Sequence, residues 1–260
     1  MPSTNRMLRI LGLFSQDRPI ITPEWLMEEL CVSRASIYRD LGLLTRVGML
    51  ERVNDRGYVL GPMVVELDRQ IRLTDPLLEA AHDLPGQLAE ETGGTVLLCR
   101  IHGGKVMCIH QVNGHNPSLS VSYERGRAMP LYRGATSKII LAHLPQARLK
   151  QLWASDRPSL VAAGLPDDFA QLCKVLDALR KTGYCVTERE VDPNAMGFAV
   201  ALRDGEHLLG SLSVVLPATS ITDIQRKKAL ARLQSAAGRI EGRLQDQREK
   251  ARAARKTENP

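Results

Sequence analysis

Residues 22–61 read TPEWLMEELCVSRASIYRDLGLLTRVGMLERVNDRGYVLG, and this stretch decides the fold of the N-terminal part of the chain. A helix is predicted to begin after Thr22, because the threonine hydroxyl can accept an orphan backbone amide and Pro23 loses no hydrogen bond at the first helical position. This helix is predicted to end near Leu30. After a short turn, a second helix is predicted to begin behind Ser33, which can cap it in the same way. The pattern is typical of a helix-turn-helix.

The second helix has an apolar face and a polar face. Ile37, Leu41 and Leu44 recur at positions i, i+4 and i+7 and therefore share one buried face. The polar side chains between them must point outward. Arginine can reach guanine edges or phosphates, and serine and tyrosine hydroxyls can bond phosphate oxygens, so we predict that this helix reads the major groove of DNA. The predicted contacts are Arg34, Ser36, Tyr38 and Arg39.

A β-hairpin is predicted directly after the second helix. Residues 48–53 and 58–61 are β-prone, and residues 54–57, Asn-Asp-Arg-Gly, have the composition of a tight hairpin turn. The tip of this hairpin would form a wing that places Arg52 and Arg56 beside the sugar-phosphate backbone. Double-stranded DNA is therefore the expected partner of the N-terminal part.

Composition indicates a folded protein and not a membrane or secreted one. The chain has 260 residues, enough for a small domain and one of ordinary size, with 43% apolar and 25% charged residues. It has no apolar run long enough to span a membrane and no signal-peptide pattern at its start. Its five cysteines are odd in number and form no Cys-x-x-Cys pair. These features favour the reducing cytoplasm.

The net charge of +6 favours polyanionic partners only weakly. Residues 1–61 contain eight arginines and seven acidic residues, so their charges nearly cancel. Much of the positive excess lies between Arg243 and Lys256. Affinity for DNA is therefore expected to depend on where individual arginines stand rather than on the net charge.

Downstream of a linker helix over residues 62–74, the pattern changes to alternating strands and helices. We predict helices over residues 77–91 (with a kink or restart at Pro85), 137–144 and 169–182, and a last helix from residue 223 to beyond residue 244. We predict strands over residues 95–101, 106–110, 118–123, 186–189, 197–203 and 208–216. This grouping indicates an α+β domain with an antiparallel sheet over residues 75–242. Residues 243–260 have no apolar periodicity and are predicted to be a disordered charged tail.

The N-terminal motifs resemble the winged helix-turn-helix of IclR-type transcriptional regulators. The resemblance rests on RMLRIL at residues 6–11, SRASIYRDL at residues 33–41, GMLER at residues 48–52 and YVLG at residues 58–61, in that order and spacing. It implies a DNA-binding domain over residues 1–61. Members of the family usually have glycine where this chain has Cys31, and we expect Cys31 to take an ordinary backbone conformation.

The second half of the chain resembles the effector domain of the same family. The matching stretches are GRAMPLYRGATSKIILA at residues 126–142, residues 183–199 and residues 210–213. The resemblance implies a GAF-like effector-binding domain, a linker helix that also assists dimerisation, and a homodimer or homotetramer. It also implies transcription regulation in response to small organic acids, some of them aromatic, without a cofactor, metal or enzyme activity.

The predicted effector site combines a helix entry with polar strand residues. Small residues before a helix let a ligand approach its free amides, and the helix dipole favours an anion there. Ala135, Thr136 and Ser137 have this position, and Ser211 and Ser213 alternate along a strand so that both face one side. The family resemblance adds two pocket positions, Thr187 and Gly197.

Two other classes of function stay open at this point. Cys99, Cys108 and His110 lie on two adjacent predicted strands, with His102 in the turn between them, and these residues could form a metal site or a thiol redox sensor, with Cys99 and Cys108 as the reactive pair. An enzyme with an accessory winged helix is the second alternative. It is disfavoured because the chain has neither a Gly-x-Ser-x-Gly nucleophile elbow nor a phosphate-binding Gly-rich loop.

Overall fold

The computed structural model describes residues 3–115 and 121–257. The chain divides into two compact units, Met1–Asp75 and Pro76–Pro260. None of the helices in the described parts is long and apolar enough to cross a membrane.

The first unit contains three helices, a hairpin and a fourth helix. Ile37 and Leu41 are completely buried and Leu44 nearly so, which confirms the predicted apolar face of the third helix. They pack with Ile10 and Leu26 of the first two helices in one small core. The elements are α1 Ser3–Gly12, α2 Pro23–Leu30, α3 Arg34–Arg46, β1 Leu50–Arg52, β2 Tyr58–Leu60 and α4 Pro62–Thr74.

The α2–α3 turn differs from the sequence-based expectation at one residue. Cys31 is left-handed, with φ 52° and ψ 50°, so the expectation of an ordinary conformation was wrong. The left-handed residue lets two amides close the end of α2: Cys31 N donates to Glu28 O at 3.3 Å and Val32 N donates to Met27 O at 3.2 Å. This is the usual way to end a helix sharply, and it normally uses glycine.

The wing is a short antiparallel hairpin. Leu50 pairs with Leu60 and Arg52 pairs with Tyr58, and Ile21 forms an additional bridge to Tyr58. Gly57 has φ 122°, and a Cβ atom there would lie 2.5 Å from the carbonyl oxygen of Ile21. The wing therefore requires glycine at this position, where it lies against the strand-like segment before α2.

The second unit is built on a six-stranded sheet with all neighbouring strands antiparallel, in the order β5-β4-β3-β8-β7-β6. The α+β class with an antiparallel sheet is thus confirmed. Its elements are α5 Pro76–Ala81, α6 Leu84–Thr92, β3 Thr95–His102, β4 Lys105–Val112, β5 Ala128–Pro130, α7 Ala135–Ala142, α8 Gln146–Ala162, α9 Phe169–Thr182, β6 Cys185–Glu188, β7 Ala195–Asp204, β8 His207–Pro217 and α10 Asp223–Thr257.

Helices cover both faces of this sheet. Val96 and Leu98 of β3 point to the side of α5, α6 and α10, whereas Leu97 and Cys99 point to the side of α7, α8 and α9. The alternation follows from the two-residue repeat of a strand. Each face has its own apolar core, and β3 and β8 lie at the centre of the sheet, buried on both sides.

Three parts of the second unit differ from the sequence-based prediction. In the strand predicted over residues 118–123, Ser118–Ser120 fall outside the described residues, and Val121–Tyr123 lie in a loop. The third described strand of this unit is instead β5. Helix α8 was not predicted. The predicted disordered tail is also wrong for residues 243–257, since α10 continues to Thr257. Ion pairs from Arg243 to Asp83 and from Arg248 to Asp204 hold this continuation against the domain.

Candidate DNA-binding surface and effector pocket

The polar face of α3 is free within its unit. Arg34 and Arg39 are exposed, the Arg39 side chain by 62%, and Tyr38 is 40% exposed. The guanidinium carbon of Arg34 lies 5.3 Å from the centre of the Tyr38 ring, so these two side chains form one surface patch. Ser36 is half-buried and accepts a hydrogen bond from the Ser33 hydroxyl at 3.1 Å. Of the four predicted contacts of α3, Arg34, Tyr38 and Arg39 are thus exposed, and Ser36 is exposed only in part.

A buried ion pair that sequence reasoning missed ties α3 to α1. Asp40 is completely buried and its carboxylate accepts a 2.5 Å hydrogen bond from Nε of Arg6, which is itself 5% exposed. The Nε atom of Arg39 lies 3.9 Å from the same carboxylate. The sequence does indicate the burial of Asp40, because this residue lies at i+3 from Ile37 and therefore on the buried side of the helix.

The wing presents the two remaining predicted arginines to solvent. Arg52 closes β1 and Arg56 lies in the 3₁₀ turn Asn54–Arg56 at the tip, and both are exposed. Asn54 at the start of this turn is left-handed, with φ 45°. Asparagine tolerates that conformation better than most residues, so the tip is sharp without strain from a large side chain.

Four of the seven predicted effector residues line a small, partly open cavity of about 30 Å³, and they are Ala135, Thr136, Thr187 and Gly197. The other three lie behind it and bond to the chain itself. Ser213 accepts from the Thr136 hydroxyl at 3.0 Å, Ser211 donates to the Thr136 carbonyl at 3.3 Å, and Ser137 pairs with the Tyr123 hydroxyl. The side chains of Ser137, Ser211 and Ser213 are completely buried. These three serines therefore lie behind the residues that line the cavity and do not line it themselves.

The amides at the start of α7 already have partners. The helix begins at Ala135, two residues before the predicted start. The Gly134 amide donates to Oε2 of Glu190 at 3.1 Å, and the Ala135 amide donates to Oγ1 of Thr187 at 2.9 Å. Oε1 of Glu190 also accepts from the Lys138 ammonium at 2.7 Å. Glu190 was not predicted as a site residue, because only the folded chain brings it to residues some fifty positions earlier.

The back wall of the cavity is uncharged. Burial raises the pKa of Tyr123 well above its usual value, so its hydroxyl stays protonated at neutral pH. This hydroxyl donates to the Arg133 carbonyl at 3.1 Å, which leaves its oxygen to accept from Ser137. The charged groups at the cavity are therefore Glu190, its partner Lys138, and Asp192, which accepts from the amide and the hydroxyl of Ser122.

The four residues of the metal or thiol alternative do not form a common site. Cys99 and Cys108 face each other across β3 and β4 as buried free thiols, while His102 is exposed at the turn. Burial raises the pKa of Cys99 and disfavours its thiolate, whereas a hydrogen bond from Cys99 lowers the pKa of Cys108, which is itself buried away from solvent. Across residues 3–115 and 121–257, no group of three or more His, Cys, Asp or Glu side chains is arranged to hold a metal ion. The alternative has no positive support from this geometry.

Comparisons with known proteins match both units. Residues 74–241 match the family described as "Bacterial transcriptional regulator IclR C-terminal", and residues 6–59 match one described as "HTH domain". The chain is 27% identical over 232 residues to the "Probable HTH-type transcriptional regulator ArcR" of Halobacterium salinarum, covering 86% of this chain and 87% of the relative. It is 22% identical to the HTH-type transcriptional regulator KdgR of Escherichia coli, covering 93% of each.

Solved structures share the fold. An IclR homologue from Microbacterium hydrocarbonoxydans, crystallised with 4-hydroxybenzoate, matches with a TM-score of 0.78 and 20% identity over 94% of this chain and all of that one. The matched C-terminal family covers well over half of the chain, and the helix-turn-helix lies where the sequence pattern predicts it. The relatives are transcriptional regulators and not enzymes. This chain therefore belongs to the IclR family of DNA-binding transcriptional regulators.

Proposed function

We propose that this regulator binds a roughly palindromic DNA site as a homodimer or homotetramer in the cytoplasm, and that a small organic acid changes its affinity for that site. The observation that carries the DNA part is the division of α3 into a buried face and an exposed polar face. A helix buried on one side and polar on the other can enter a major groove without disturbing its own core.

The exposed residues have separate roles in this proposal. Arg34 and Arg39 reach base edges or phosphates from α3, and Tyr38 and Ser36 bond phosphate oxygens. Arg52 and Arg56 hold the wing against the backbone. Because phosphate contacts are independent of sequence, the wing would supply affinity while α3 supplies specificity.

Effector binding is proposed for the cavity at the amino end of α7. The relative from Microbacterium hydrocarbonoxydans was crystallised with an aromatic acid, which supports a small carboxylate as the class of ligand. In this chain the cavity presents Thr187 and the entry of α7, and Lys138 supplies a cation beside them. We propose that the regulated genes belong to small organic-acid metabolism, including that of aromatic acids.

The linker helix α4 supports self-association. All of Pro62–Thr74 is described, and no side chain in it is buried within the chain, although Val65, Leu67 and Ile71 are apolar. A second copy of the chain would cover such a face and place two winged helices on two half-sites. An effector can shift DNA affinity only by preferring one arrangement of the two domains, so residues 62–74 are the proposed place of change.

The test uses full-length protein and the DNA that flanks its own gene. Footprinting should show a protected, roughly palindromic site, and one member of a panel of small carboxylic acids should change the affinity by about 5–150-fold. The DNA contacts are tested separately with Arg39→Ala, for which Arg180→Ala, which removes an exposed arginine from α9 of the second unit, serves as the control for loss of charge. The sensing proposal fails if affinity and footprint stay the same with every acid in the panel.

A further inference from the structure

The loop between β6 and β7, residues 189–194, closes the proposed effector cavity. Its Glu190 bonds the Gly134 amide and Lys138, as described above, and the backbone carbonyl of Glu190 accepts from Nε of Arg133 at 2.8 Å. Val191 packs so close that a Cβ atom on Gly134 would lie 2.7 Å from its Cγ2 atom. The loop thus covers the entry of α7 through both polar and apolar contacts.

The cavity is partly open, but its volume is too small for an organic acid. At about 30 Å³ it has room for one or two water molecules, whereas small-molecule sites generally measure about 300–1,000 Å³. A ligand can therefore bind at the start of α7 only if the loop over residues 189–194 moves away from it. The question is which contact of the loop the ligand replaces.

A surface groove also borders Glu190. It measures about 580 Å³ and is lined by Tyr132, Arg133, Ser159, Ala162, Ala163 and Glu190. Glu190 is the residue that lines both this groove and the cavity. Because it borders both, displacement of this one side chain is the simplest way to connect the groove with the cavity.

Charge identifies the class of molecule that can take the place of Glu190. The Lys138 side chain is only 11% exposed and its ammonium has Glu190 as its anion at 2.7 Å; its other hydrogen bond goes to the Ala163 carbonyl at 3.5 Å. A nearly buried ammonium without an anion is strongly disfavoured. A neutral ligand that displaced Glu190 would leave that charge unpaired, whereas a carboxylate would restore both the ion pair and the hydrogen bond to the Gly134 amide.

We propose that Glu190 is a built-in carboxylate that occupies the anchoring point of the effector, and that an acid effector enters from the groove and exchanges with it on Lys138 and the Gly134 amide. This inference rests on the small-acid effector of the proposed function. Glu190 then sets the effector concentration at which the protein responds, because every effector competes with a carboxylate that is always present. Only acids with further contacts in the groove would displace it at low concentration.

The test is chemical rescue of Glu190→Ala in the full-length protein, with sodium acetate as the probe. The substitution removes the internal carboxylate, so the protein should unfold at a lower temperature than the wild type, and acetate should restore much of the loss in a saturable manner. The acetate affinity of the variant should exceed that of the wild type by about tenfold or more, as expected for charge-assisted hydrogen bonds. Sodium chloride at equal ionic strength is the control for a general effect of salt. Acetamide, which has the shape of acetate without its charge, is the control for shape.

Glu188→Ala is the matched control variant, since Glu188 ends β6 only two residues away with a 42% exposed side chain. Its response to acetate should equal that of the wild type. If Glu190→Ala proves too unstable to purify, Glu190→Gln keeps the volume while removing the charge, and it should still bind acetate more tightly than the wild type. Equal acetate responses in the wild type and both Glu190 variants, or equal rescue by acetamide, would overturn the proposal.

DNA binding separates this inference from the proposed function. Acetate rescue of Glu190→Ala with DNA affinity that no acid alters would support the exchange at Glu190 and reject sensing. Acid-dependent DNA binding by the wild type without any acetate rescue would support sensing and reject the exchange.

Discussion

Asp40 is completely buried between α1 and α3, with Arg6 as its close ion-pair partner and Nε of Arg39 3.9 Å from its carboxylate. Removal of one partner from a buried pair leaves the other charge uncompensated, which typically costs about 3–5 kcal/mol. We expect Asp40→Ala to destabilise the N-terminal domain by this amount. Urea unfolding followed by Trp25 fluorescence, in a Trp153→Phe background, measures the change.

The matched control removes both charges of the pair. The double variant Arg6→Met with Asp40→Leu leaves no buried charge, so it should recover most of the stability that Asp40→Ala loses. If the single and double variants lost equal amounts of stability, the buried charge would not be the cause of the loss.

His143 gives the effector domain a dependence on pH. Desolvation lowers the pKa of His143, with further lowering by Arg203 and Arg180, although its ring bonds the Ile139 carbonyl at 2.8 Å. The folded state therefore binds a proton less readily than the unfolded state, whose histidine has a pKa near 6.5. The contribution of His143 to the free energy of unfolding is fully present above pH 6.5, and it is lost as the pH falls below that value and through the lowered pKa of the folded state.

Thermal unfolding of the wild type and His143→Gln at pH 7.5 and pH 5.5 tests this expectation. The wild type should lose more stability on acidification than the variant does. His82→Gln, at an exposed histidine, should behave as the wild type. An unchanged pH dependence in His143→Gln would show that other groups cause it.

At the scale of elements, the end of α2 holds Cys31 in a left-handed conformation that disfavours residues with a Cβ atom. Cys31→Gly should therefore stabilise the helix-turn-helix by about 1 kcal/mol. The same Trp25 unfolding measurement applies. Cys31→Ala keeps the Cβ atom and should gain little, so equal gains in the two variants would attribute the effect to the lost thiol and not to the backbone.

Elements with clear end signals and one apolar face were predictable from the sequence. Helix α9 has the predicted bounds, with Asp168 capping its start through the Gln171 amide at 2.8 Å and a left-handed Gly183 at its end. Helix α8 lacks these signals. It bends at Asp156, contains Pro158, and has no continuous apolar stripe. Neither apolar periodicity nor capping residues therefore identify it as a helix in the sequence.

The candidate effector cavity was predictable only in part, for a similar reason. Ala135 and Thr136 follow from local pattern, Thr187 and Gly197 follow from family resemblance, and these four residues line one cavity. The bonds from Glu190 to Lys138 and Gly134 depend on how β6 and β7 pass beside α7 in the folded domain. Local patterns carry no information about such a contact.

At the scale of the whole molecule, the chain separates its tasks between two units with their own cores. The N-terminal domain is nearly neutral by count, so its affinity for DNA must come from the placement of its arginines. A net charge of +6 alone would not make DNA binding depend on individual arginines in this way.

Removal of a wing arginine, as in Arg56→Ala, should weaken binding equally for all DNA sequences.

If α3 reads base edges through its exposed face, Arg39→Ala should change both the affinity and the base preference of the protein, and its affinity for the operator and for a set of single-base variants of the operator measures both. We expect a loss of about 1–3 kcal/mol on the operator together with lost discrimination at one base pair of each half-site, while Arg180→Ala retains both affinity and discrimination. If Arg39→Ala retained the full affinity and base preference of the wild type, the assignment of α3 as the recognition helix would be contradicted.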